Sequence, residues 1–109
     1  MTQPRPMVSL VTAPVAQAQS IATALVEGEM AACVNVVQLV HSVYRWQGKV
    51  ERDEEALLVV KTTDAAIPAL TELLDEIHPY DTFELISLGI EGGNQPYLDW
   101  ILESVSSPG

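Results

Sequence analysis

Along this chain the apolar positions shift between continuous, alternating and helical spacing, and each shift marks an element. Residues 7–12 form a nearly continuous apolar run, which predicts a buried central strand. Pro14 suits the first turn of a helix, with Thr12 or Ala13 at its cap. Val15, Ala18, Ala22 and Leu25 then recur on one helical face, and Gly28 is the predicted stop. Residues 31–46 and 50–62 are rich in Val, Tyr, Trp and Thr, which predicts two long strands turning at Gln47-Gly48-Lys49. Glu51, Asp53, Glu54 and Glu55 near the tip read as a solvated segment. Asp64 is placed to cap a second helix, with Pro68 in or just beyond its first turn. Ile67, Leu70, Leu74 and Ile77 form that helix's buried face, and His78-Pro79-Tyr80 ends it. Residues 83–90 predict a fourth strand, with Phe83, Leu85 and Ser87 opposite Ile86, Leu88 and Ile90. Gly92-Gly93 breaks the strand, and Asn94 should cap a last helix bearing Tyr97, Leu98, Trp100, Ile101 and Leu102. Residues 106–109 are expected to fray.

The resulting order, β-α-β-β-α-β-α, predicts an α+β chain: a ferredoxin-like βαββαβ sandwich with an added C-terminal helix, one domain over 1–109. One feature does not fit a free-standing domain. Sixteen strand residues span about 50 Å, whereas a domain of this length should be only some 35 Å across. The long hairpin must bend, or another subunit must cover its outer half. Oligomerisation by sheet extension is the expectation.

Composition narrows the partners. Fifteen acidic residues against five basic ones leave a net charge of −10. That charge disfavours nucleic acid and anionic membranes, both of which need clustered Lys and Arg. It attracts cations, divalent metals included, but equally it keeps a small oligomer dissolved. The N-terminal residues do not resemble a signal peptide, and a single cysteine precludes an internal disulfide, so a cytoplasmic location is expected. No nucleophile elbow or paired Ser and His suggests enzyme chemistry, and no enzymatic activity is expected.

Cys33, His41 and His78 are the soft or borderline ligands besides methionine, and none stands in a metal-binding spacing. In an alternating strand Cys33 fits a small hydrophobe equally well. His78 at a helix end would interact favourably with the last carbonyls. Cys33 and His78 are the candidate metal ligands, through a weak site completed across subunits.

Ala31-Ala32-Cys33-Val34-Asn35, Tyr44-Arg45-Trp46-Gln47-Gly48-Lys49, Lys61-Thr62, His78-Pro79-Tyr80 and Tyr97-Leu98-Asp99-Trp100 stand in the order and spacing of a known family. The chain resembles the CutA divalent-cation tolerance family over residues 7–105. That resemblance implies a homotrimer whose long hairpins pair across subunits, similar in architecture to PII signalling proteins. It further implies a link to divalent-cation tolerance, weak copper binding and no required cofactor. It points to Tyr44, Trp46, Lys61, Tyr80 and Glu84 around an intersubunit cleft. There Lys61 either pairs with Glu84 or holds a small anion, while Trp46 or Tyr80 stacks on the ligand. Phe83 and Gly89 depart from the family, which usually has proline at both positions.

Overall fold

The computed structural model describes residues 3–106, so all but the first residue of the expected frayed tail lies outside the described residues. The elements are β1 (Pro6–Ala13), α1 (Val15–Glu27), β2 (Cys33–Trp46), β3 (Lys49–Thr63), a short 3-10 turn (Asp64–Ala66), α2 (Ile67–Ile77), β4 (Leu85–Gly89) and α3 (Gln95–Ser104). The strands form one antiparallel sheet in the order β2-β3-β1-β4, the arrangement of a ferredoxin-like sandwich. Side chains alternate across it. Val11, Ala13, Leu58 and Val60 point to the helices and are fully buried with Leu25 of α1 and Leu70 and Leu74 of α2. A second apolar cluster, Ala66, Ile101 and Val105 with Ala32, Ile90 and Leu98, anchors α3.

Polar groups inside this core are satisfied. Ser9 and Ser87 are cross-strand partners on the helix side, and their hydroxyls meet at 2.6 Å. Thr62 donates to the Met30 carbonyl at 2.6 Å, tying β3 to the segment after α1. No buried side-chain nitrogen or oxygen among the described residues lacks a partner.

The caps differ from expectation. Pro14 itself takes the N-cap of α1, with no side-chain cap. Asp64 opens the 3-10 turn and not α2: its Oδ1 accepts the backbone N–H groups of Arg5 and Ala65. Asn94 precedes α3 in an extended conformation without a side-chain cap bond. Gly28 ends α1 at φ −78°, and Glu29 takes the left-handed conformation at φ 60°. Gln47 and Gly48, at φ 51° and 79°, make the tight hairpin turn, which suits the twist of the strands.

The hairpin is long, as its sequence predicts. It stretches the chain to 45 × 27 × 24 Å, and a register shift between Val37 and Val40 bends β2. Val43, Trp46 and Val50 are each more than half exposed near the tip. The sheet face turned away from the helices is apolar as well, with Ile86 and Leu88 51% and 55% exposed. One sheet face is thus covered by α1 and α2, while among the described residues only α3 reaches the other, at the end that carries Cys33 and Ile90.

Candidate functional site

The candidate residues fall into three groups. The first lies at the base of the hairpin. Cys33 is the cross-strand partner of Lys61, so their side chains share a face. The Lys61 ammonium donates to Asn35 Oδ1 and lies 3.9 Å from Cys33 Sγ. No carboxylate is within ion-pair distance of it among the described residues. The expected pairing with Glu84 does not form; Glu84 is exposed just ahead of β4. Tyr97 from α3 approaches the same thiol and stacks obliquely on Trp100, ring centroids 5.5 Å apart. Burial, then the neighbouring thiol, raises the Tyr97 hydroxyl above its usual pKa.

The second group surrounds His78, which ends α2 because Pro79 forces the preceding backbone out of the helix (φ −76°, ψ 133°). The imidazole is buried. Its Nε2 donates to the Thr12 carbonyl at 2.8 Å, and its Nδ1 accepts the Tyr80 N–H at 3.1 Å. Phe83 stacks on it, with centroids 5.0 Å apart and planes 22° from parallel. Both ring nitrogens are therefore engaged, and the residue pins the loop after α2 to the end of β1. Cys33 stands elsewhere: Lys61, its partner, is four residues along β3 from Leu57, the partner of Thr12. That is about 13 Å of strand. The chain does not bring the two expected metal ligands together. Among the described residues no three His, Cys, Asp or Glu side chains converge as a metal site. His41 lies across from Glu54, at 4.0 Å on the exposed hairpin.

The third group lines the outer hairpin. Tyr44 is the cross-strand partner of Glu51 and donates to Asp53, and the Tyr80 hydroxyl is 3.4 Å from Glu55. Glu55, expected in solvent, is only 7% exposed. The Asp53 hydrogen bond, aided by slight desolvation and the charges of Asp53, Glu51 and Glu55, pushes Tyr44 up to about 12. Desolvation, then the Glu55 charge and hydrogen bond, raises Tyr80 too. Trp46 sits one alternation beyond Tyr44. Tyr44 and Trp46 pair with β3 positions ten and twelve residues from Lys61, about 33–40 Å of strand. Within one chain the aromatic candidates thus keep company with carboxylates and not with Lys61. Asn35, Asp53 and Tyr97 were not among the site residues expected from the sequence, although Asn35 and Tyr97 stand in its motifs and Asp53 in its acidic segment. Their neighbourhood follows from strand register, which alternation alone does not specify.

A four-stranded sheet in this order, one face layered by helices and the hairpin overshooting the domain, defines a PII-like ferredoxin fold. The structure of a "PII-like protein CutA" from Nostoc sp. PCC 7120 is 29% identical and superposes with a TM-score of 0.86 over 92% of this chain and 97% of that one. The family model for the CutA1 divalent ion tolerance protein matches residues 7–104, and the chain belongs to that family. The divalent-cation tolerance protein CutA of Thermus thermophilus is 50% identical over 98 residues, 89% of this chain and 95% of that protein. The solved CutA1 from Oryza sativa has a TM-score of 0.92 at 41% identity, covering 98% of each chain. The mouse Protein CutA is 47% identical over 84% of this chain. The chain spans 54% of the length of that mouse relative. Relatives carry chloroplastic and periplasmic designations, so membership alone does not assign a compartment. No helix among the described residues is long and apolar enough to cross a membrane.

Proposed function

We propose that this protein works as a homotrimer in the response to divalent metal ions, as a binding protein and not an enzyme. The observation that carries the reading is geometric. Among the described residues the chain presents an apolar sheet face with exposed Ile86 and Leu88, a hairpin tip with exposed Val43, Trp46 and Val50, and two unpaired sheet edges, β2 and β4. Unlike edges on opposite sides favour head-to-tail pairing, and a head-to-tail contact that closes gives a ring. Three copies would turn the apolar faces inward and bring each hairpin tip onto a neighbour's base. Weak metal binding, copper by preference, then falls to the partly exposed thiol of Cys33 with ligands from a second copy. The net charge of −10 favours cation approach, and the lone cysteine fits a reducing, cytoplasmic setting. In the conformation described, His78 is not free to contribute.

Light scattering tests the assembly. A mass three times 11.8 kDa is expected at micromolar protomer concentration, and Leu88→Glu should dissociate it. A monomeric wild type would remove the basis of the proposal. Copper titration tests the metal: Cys33→Ser should weaken affinity about tenfold, and unchanged affinity would end the assignment to this thiol. A second reading is favoured by Lys61, a partly buried cation without a carboxylate partner among the described residues: the cleft holds a small anion. Citrate at a hundred times its dissociation constant would then add about 2.7 kcal/mol of stability, a gain absent in Lys61→Ala.

A further inference from the structure

Lys61 stands in an uncharged field. Of the strand residues that share its sheet face in the four-stranded part, from Val8 and Leu10 to Ile86 and Leu88, it alone is charged. Val8 pairs with both Lys61 and Leu88, so the lysine and an exposed leucine lie in one cross-strand row, about 10 Å apart. The half-buried ammonium meets the amide oxygen of Asn35 and no carboxylate among the described residues. The outer hairpin carries the complement. Glu51 is ten residues from Lys61 along β3, an even number, so the two share a face about 33 Å apart. Its cross-strand partner is Tyr44, with Trp46 one alternation beyond, and both rings are exposed. Asp53 already accepts the Tyr44 hydroxyl. Glu51 is exposed, with no Lys, Arg or His within ion-pair distance among the described residues.

One end of the chain thus offers a cation among aliphatic side chains, and the other a carboxylate among aromatic rings. We propose that Glu51 of the partner subunit is the counterion of Lys61, with Tyr44 of the partner subunit and Trp46 of the partner subunit laid on Ile86 and Leu88. The pairing rests on the head-to-tail trimer and supplies what each patch lacks within its own chain. It also sets the direction of assembly. Base against base would oppose two ammonium groups, and tip against tip two carboxylates, so like-charge repulsion disfavours a two-fold dimer through either patch. Unlike patches on one chain are the requirement for a closed ring. A free anion and this carboxylate compete for the same ammonium.

Light scattering over a dilution series, in urea just below the wild-type transition, reads the protomer concentration at which half the trimer mass is lost. Glu51→Lys and Lys61→Glu should each raise that concentration about tenfold, because each sets like charges together. The double variant E51K/K61E restores opposite charges and should return to within about threefold of wild type. Glu54→Lys makes the same change of charge on the other face of β3 and should leave the concentration unchanged. If K61E does not fold, Lys61→Met takes its place: E51K should then cost less in the K61M background than alone. Equal cost in both backgrounds would overturn the pairing. So would single variants that hold together as well as a trimeric wild type, or a double variant no stronger than either single. A monomeric wild type would instead refute the trimer on which the pairing rests.

Discussion

His78 is the residue whose structural and metal-binding roles predict opposite results. Truncation by His78→Ala removes the donor to the Thr12 carbonyl and the acceptor for the Tyr80 N–H, and deletes the ring stacked on Phe83. Leaving this part-buried carbonyl unpaired costs about 1–3 kcal/mol. The lost aromatic contact adds about 0.5–1.5 kcal/mol beyond its area. The Tyr80 N–H belongs to an exposed residue and can turn to water, so it contributes little. The expected destabilisation is roughly 2–4 kcal/mol. His78→Phe keeps the stacked ring and loses only the polar bonds, so it should recover the aromatic share. Urea unfolding at one fixed protomer concentration reads both values, since association enters stability by mass action. Copper titration of the same variants should show wild-type affinity. A His78→Ala change within about 0.5 kcal/mol of wild type, the range of an ordinary surface substitution, would refute the pinning role. A tenfold loss of copper affinity with stability intact would show that a ring nitrogen does serve a metal.

Two further outcomes concern the core serines and the three tyrosines. Ser9→Ala or Ser87→Ala alone should cost about 1–2 kcal/mol by stranding the other hydroxyl in or near the core, while the double variant should cost less than the sum, a coupling that a double-mutant cycle measures. All three tyrosines are shifted upward, so ultraviolet titration should show little phenolate until above the ordinary value of 10.0, with the last transition near 12 lost in Tyr44→Phe. The sign follows from the raised pKa: Tyr44 contributes stability in full below its unfolded value and loses it as pH rises from about 10 to about 12.

Much of the architecture is written locally. The continuous run in β1, the helical spacing of Ala18, Ala22 and Leu25, and the long alternation on both sides of Gln47-Gly48 each specify an element without help from the rest of the chain. Alternation correctly assigned Leu85 and Ser87 to one face of β4 and Ile86 and Leu88 to the other, because period two is a property of the strand itself. Capping was less legible. Asp64 and Asn94 are sound N-cap residues by type, but Asp64 is drawn to the Arg5 backbone, 59 positions earlier, and its carboxylate serves that tertiary contact instead.

The sites divide along the same line. Sequence by itself named the side chains expected to carry chemistry: Cys33, Tyr44, Trp46, Lys61, His78, Tyr80 and Glu84. Only tertiary structure decided their company. Register set Lys61 beside Cys33 and Asn35, far from Glu84. The loop after α2 folded His78 onto the Thr12 carbonyl and occupied both its nitrogens. That same loop laid Tyr80 over Glu55 and buried a carboxylate that belongs, by composition, to a solvated acidic run. The physical reason is common to all three. Element type depends on neighbours within a few residues, whereas charge pairing, desolvation and hydrogen-bond occupancy depend on groups that the chain brings together only after it has folded.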